Sequence, residues 1–75
     1  MVTVYTIPAC PQCDMTKKYL TREGIEYSEV DLSNDEVAME KVRGLGYTAA
    51  PVVEVGSDHW SGFRLDMLKL IRKAA

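Results

Sequence analysis

The chain has 75 residues, 47% of them apolar and 27% charged, and carries a net charge of −2 at neutral pH. That is the composition of one small globular domain, not of a disordered chain. It excludes a broad basic field for nucleic acid, and no stretch approaches the roughly 20 apolar residues needed to cross a membrane. A domain this short buries a modest core and is marginally stable without help. Secreted mini-proteins take that help from several disulfides; here there are two cysteines in all. Met1-Val2-Thr3-Val4-Tyr5 opens without a charged region and a long apolar run, so no signal peptide is read. The expected location is the cytoplasm, where a lone cysteine pair is catalytic or metal-binding sooner than structural.

Residues 2–7 alternate and are rich in β-branched side chains, which predicts a strand that Pro8 ends. From about Pro11 to Glu23 the pattern turns helical. Met15 and Tyr19, and Thr16 and Leu20, are spaced four apart as if facing the sheet, and Lys17, Lys18 and Arg22 suit a wet face. Gly24 is a helix stop. Residues 27–32 read as a second strand. Ser33-Asn34-Asp35-Glu36 has the form of a capping box with Ser33 at the N-cap, opening a helix that carries Val37, Val42 and Leu45 and ends near residues 44–46. Residues 52–55 are a third strand, residues 56–58 a turn and residues 59–61 a short fourth strand. Residues 65–73 are a last helix, with Leu65, Leu68 and Ile71 on one side. The order β-α-β-α-β-β-α makes the first two strands parallel and the last two a hairpin, in one α/β domain spanning residues 1–75.

Both cysteines lie in Cys10-Pro11-Gln12-Cys13, where the first strand gives way to the first helix. The opening N–H groups of a helix are unpaired and its dipole end is positive. A thiolate there is stabilised, and its pKa falls below the free value of about 8.5. Cys10 at or just before the N-cap would be exposed and anionic; Pro11 fits a first turn that has no use for its N–H. Cys13, one turn in, would be more buried. Cys10 then attacks a disulfide and Cys13 resolves the mixed disulfide. Other readings compete. A structural zinc site takes four ligands, and beyond the two cysteines the chain offers only His59 and carboxylates. A metal or iron–sulfur cluster shared between two chains remains open. A purely structural disulfide would close a loop too short to stabilise much. The β-α-β setting favours the redox pair.

Ala49-Ala50-Pro51-Val52-Val53 is the second signal. Pro51 is either an ordinary trans proline opening a strand or a cis-proline that turns the Ala50 backbone toward Cys10 and offers an extended substrate an edge to pair with. The residues alone leave both readings open. For Trp60 and Phe63, core packing competes with a role at the surface. Arg64 either fixes its loop or is solvated, and Asp66 either binds an amine or caps the last helix. His59 reads as a polar hairpin residue.

Cys10-Pro11-Gln12-Cys13 after a strand, a proline before a Val-Val strand and this order of elements resemble the thioredoxin superfamily, and glutaredoxins in particular. Gly46-Tyr47, Ala50-Pro51-Val52-Val53 and above all Trp60-Ser61-Gly62-Phe63-Arg64 make the chain similar to the NrdH-redoxin family over essentially its whole length. The resemblance implies a thioredoxin/glutaredoxin-like fold, a four-stranded mixed sheet flanked by three helices, with Pro51 cis. It implies a monomeric dithiol electron carrier with no bound cofactor and no metal, whose redox centre is the Cys10–Cys13 disulfide. Thioredoxin reductase would reduce it, with NADPH as the indirect source of electrons. The acceptor would be the large subunit of a class Ib ribonucleotide reductase, with neither nucleic acid nor membrane as a partner. Pro11, Gln12, Ala50, Pro51 and the loop Trp60, Ser61, Gly62, Phe63 and Arg64 would meet the partner. A glutathione-dependent glutaredoxin is the alternative; in those proteins backbone N–H groups after the fourth strand hold glutathione, and here Ser61-Gly62-Phe63-Arg64 stands in that place. The chain departs from the NrdH pattern at Pro11, where Val or Met is usual, at Leu65, where Pro is usual, and at Ile7, where a lysine is common.

Overall fold

The computed structural model describes residues 1–71. Its elements are β1 (Val2–Thr6), α1 (Pro11–Arg22), β2 (Ser28–Asp31), a 3-10 turn (Leu32–Asn34), α2 (Glu36–Gly44), β3 (Val52–Val55), β4 (Asp58–Ser61) and α3 (Leu65–Leu68). The four strands form one mixed sheet in the order β2-β1-β3-β4. β1 and β2 run parallel, as the intervening helix requires, and β3 is antiparallel to both β1 and β4.

Strand alternation divides the core into two layers. Val2, Val4, Val53 and Trp60 pack with Leu20, Ile25 and Leu68 on the side of α1 and α3. Tyr5 and Val52 pack with Leu32, Ala38 and Val42 on the side of α2. Leu20 and Leu68 are fully buried, each worth about 1.5–3 kcal/mol in removed apolar surface.

Both long helices end in the same way. After α1, Gly24 (φ +70°) lets its own N–H reach the Thr21 carbonyl at 3.1 Å while Ile25 N–H reaches Leu20 O at 2.9 Å. After α2, Gly46 N–H reaches Arg43 O and Tyr47 N–H reaches Val42 O. This Schellman closure satisfies terminal carbonyls and folds the next apolar residue, Ile25 or Tyr47, back onto the core.

Several expectations are corrected. Met15 is 48% exposed; the inner face of α1 is Cys13, Thr16 and Leu20, and the Thr16 hydroxyl is satisfied by Gln12 O at 2.9 Å. Val37 is exposed too, because Ala38 and Val42, one turn apart, face the sheet. Ser33 does not cap α2. Asp31 captures both the Ser33 N–H and its hydroxyl, winding residues 32–34 into the 3-10 turn. Those bonds hold the Asp31 carboxyl below its ordinary pKa. Asp35 then caps α2, accepting the Ala38 N–H at 2.9 Å. α3 ends at Leu68, short of the residue 73 expected; Leu68 is buried, Leu65 is 40% exposed, and Lys73 lies outside the described residues.

Candidate active site

The C-terminal end of β1 delivers the chain to the site. Ile7, Pro8 and Ala9 turn it outward, with Ala9 in the left-handed region at φ +54°, a conformation that costs a non-glycine residue about 1–2 kcal/mol. No sequence pattern marked Ala9 for it. Cys10 follows in extended geometry as the N-cap of α1, and its Sγ accepts the Cys13 N–H at 3.1 Å. Pro11 occupies the first helical position. Cys10 and Cys13 form a disulfide, with Cα atoms 5.2 Å apart. Cys10 is half-buried, whereas Cys13 is only 1% exposed. One sulfur thus faces the solvent with an N–H aimed at it, and the other sits in the core below.

Sheet register brings the second signal to the end of β1, where the chain turns toward Cys10. Tyr5 is opposite Val52, so the next positions place Pro51 beside Thr6 and Ala50 beside Ile7, at the turn into Cys10. The Ala50–Pro51 peptide bond is cis, and Pro51 is fully buried. Residues 47–51 are pinned along β4. Tyr47 Oη lies 2.7 Å from His59 Nδ1, Ser61 Oγ donates to Ala49 O at 3.0 Å, and Gly62 N–H donates to Pro51 O at 2.7 Å. His59 is thus a hairpin residue with a polar partner. On the α2 side a groove of about 350 Å³ opens against Ile7, Met39, Arg43, Tyr47, Ala49 and Ala50.

The loop after β4 closes on the pair from the other direction. Gln12 Oε1 accepts the Phe63 N–H at 3.0 Å. Arg64 grips Asp66 with two bonds, Nε–Oδ1 at 3.1 Å and Nη2–Oδ2 at 2.9 Å. The guanidinium lowers the Asp66 pKa and that carboxylate raises the pKa of Arg64. Asp66 therefore serves Arg64 and does not cap α3, which has no side-chain cap. Trp60 does not belong to this surface. It is 5% exposed in the core beside Val53 and Leu68, because alternation along β4 turns it inward. Phe63 is half-buried against the same cluster. Of the loop read as a partner surface, Ser61, Gly62, Phe63 and Arg64 remain at least partly accessible.

Two further ion pairs lie along the strands, at Glu29 of β2 and Glu54 of β3. Lys17 Nζ meets Glu29 at 2.9 Å and Thr6 Oγ1 donates to the same carboxylate at 3.0 Å. The Lys17 bond first, then that from Thr6, lowers the Glu29 pKa. On the other layer, Lys41 and Tyr5 both donate to Glu54, whose pKa they lower in that order. Among the described residues no three His, Cys, Asp or Glu side chains converge as a metal-holding group.

The glutaredoxin family profile matches residues 2–60. The glutaredoxin-like protein NrdH of Escherichia coli K12 is 34% identical over 73 residues, covering 97% of this chain and 90% of that protein. Its counterpart in Lactococcus lactis subsp. cremoris is 41% identical over 64 residues, covering 85% and 89%. The solved structure of the Escherichia coli NrdH-redoxin superposes with a TM-score of 0.93 over 99% of this chain and 97% of that one, at 34% identity. The chain belongs to the glutaredoxin family, in its NrdH-redoxin group. As in that group, the working part is the Cys10–Cys13 pair of a thiol–disulfide oxidoreductase. Its chemistry is exchange. A thiolate displaces one sulfur of a disulfide, the displaced sulfur leaves as a thiolate, and two electrons pass in two such steps.

Proposed function

We propose that this NrdH-redoxin is a small, monomeric dithiol electron carrier of the cytoplasm. Thioredoxin reductase reduces its disulfide, with NADPH as the ultimate donor and no bound cofactor. The reduced pair then passes two electrons to the disulfide of a class Ib ribonucleotide reductase large subunit. Cys10 attacks the acceptor disulfide, forming a mixed disulfide and releasing one partner thiolate. Cys13 then attacks Cys10 Sγ, which restores the intramolecular disulfide and frees the second partner thiol. The division of roles follows from exposure, since the partner's sulfur has access to Cys10 and Cys13 is buried. Ala50 borders the approach on the groove side, held by the buried Pro51, with Pro11, Gln12 and residues 61–64 on the other.

The observation that carries the choice of reductant is the state of the loop donors. Gly62 N–H and Phe63 N–H are both spent on the chain's own carbonyl oxygens, which leaves them nothing with which to hold glutathione. The Escherichia coli relative, described as having a thioredoxin-like activity profile, points the same way. The test is NADPH oxidation with a generic disulfide as acceptor, coupled through thioredoxin reductase in one cuvette and through glutathione with glutathione reductase in another. Turnover confined to the first is expected. Turnover confined to the second would rename the chain a glutathione-dependent glutaredoxin.

A further inference from the structure

Tyr47 and His59 meet on the α2 side of the sheet. The Tyr47 Oη lies 2.7 Å from His59 Nδ1, and the two rings stand edge to face, with centroids 5.5 Å apart and planes at 79°. Alternation along β4 points His59 to the same face as Glu54, which stands opposite it and takes the Lys41 ammonium of α2. Tyr47 packs on that face against the cluster of Val42 and Val52, and forms part of the groove wall with Ile7, Ala49 and Ala50. The three residues between Tyr47 and Pro51 belong to no helix or strand, and Thr48 and Ala49 are exposed. Ala49 and Ala50 offer no side chain long enough to anchor the stretch. Its side-chain anchors are Tyr47 at one end, and at the other the buried Pro51 with the bond from Ser61 Oγ to Ala49 O. Exchange between Cys10 and Cys13 uses neither ring.

We propose that His59 is a positioning residue: acting through Tyr47, it holds residues 48–50 in the form that a docking protein meets beside Cys10. An exposed bond between uncharged groups adds little to the stability of the whole fold, so its consequence is local. With the tie in place, the stretch is ordered before the partner arrives. Without it, the ordering is charged to docking and weakens the encounter. The tie also holds in both states of the imidazole, because a neutral Nδ1 accepts from the tyrosine hydroxyl and a protonated one donates to it. The inference refines the dithiol-carrier reading and rests on it.

The test compares the full chain with Tyr47→Phe, which loses only the hydroxyl, and with His59→Leu, which loses the ring nitrogens. Each variant should raise the KM of thioredoxin reductase for the oxidised protein about fivefold, the worth of one neutral hydrogen bond, with kcat unchanged. Reduction by dithiothreitol, a small dithiol with no surface to dock, should keep its rate. The double variant should be no worse than either single one, since both remove the same bond. His59→Asn, whose amide can stand where Nδ1 does, should restore KM. Nitrogen relaxation on the free proteins gives a readout that needs no partner: order parameters at residues 48–50 should fall in Tyr47→Phe and His59→Leu, and those of β3 should hold. Unmoved KM or unmoved order parameters in both single variants overturn the proposal. So do additive losses in the double variant, an equal slowing with dithiothreitol, or a His59→Asn as impaired as His59→Leu. Failure of the carrier reading is seen separately, as an unaltered protein that thioredoxin reductase does not turn over, and the relaxation data then test the tie on their own.

Discussion

The two sides of the disulfide differ in what they leave unfinished. On the side of residues 61–64 every donor singled out above has a partner within the chain: Ser61 Oγ on Ala49 O, Gly62 N–H on Pro51 O, Phe63 N–H on Gln12 Oε1, and Arg64 on Asp66. On the side of α2, Ile7, Met39, Tyr47, Ala49 and Ala50 border an open groove. Among the described residues Arg43, which lines it, has no ion-pair partner. One rim is closed by hydrogen bonds and the other is an open groove lined mostly by apolar side chains. On the proposed function, the open groove is the side left to a docked protein.

The largest effect is expected where the rims meet. Cys13→Ser should accumulate a mixed disulfide between Cys10 and the reductase or acceptor, seen as a higher-mass band that a reductant dissolves. Cys10→Ser should lose all turnover above background and form no such band. The reverse pattern would exchange the roles of the two cysteines. Next in size is Gly62→Ala, aimed at the closed rim alone. The alanine would hold a left-handed φ, at about 1–2 kcal/mol, with its Cβ 3.3 Å from Gln12 Oε1. Urea unfolding should show that loss as a lower midpoint at an unchanged slope, and an unmoved midpoint would mean that the loop relaxes freely. The smallest effect is that of acid. Glu29 and Glu54 have lowered pKa values in the fold, chiefly through Lys17 and Lys41. Their contribution is complete above the ordinary glutamate pKa of about 4.3 and is lost as the pH falls through the lowered values. The pairs are partly exposed, so the urea midpoint should fall by roughly a few tenths of a molar unit over that range. The Gln12–Phe63 and Gly62–Pro51 bonds are between uncharged groups. Amide exchange at Phe63, corrected for its own pH dependence, should therefore stay protected where the sheet weakens, and simultaneous loss would show that the rim and the sheet open as one unit.

Much of this was legible along the chain because its causes are local. The period-two run into Pro8, Pro11 behind Cys10 and Gly24 behind a helical pattern each act within a few residues, and the elements they predicted are present. The errors came where two local solutions compete. Ser33 and Asp35 are both good caps, and Asp31, which takes Ser33 for itself, decided between them. Met15 and Thr16 are one residue apart on a helix, and only the position of β1 tells which one is buried. Trp60 read as a surface residue through the motif it belongs to, whereas the sheet turns it inward.

By itself the sequence determined the redox chemistry. A thiol at a helix N-terminus with a second thiol one turn on is specified by four adjacent residues and needs nothing distant. Tertiary structure decided what meets that chemistry. Pro51 reaches the end of β1 through sheet register, Met39, Arg43 and Tyr47 border the groove beside Ile7 and Ala50, and Gln12 finds Phe63 across 51 residues. The physical reason is that hydrogen bonds and contacts depend on distance in space, and spacing along a chain sets that distance only within one turn or one strand.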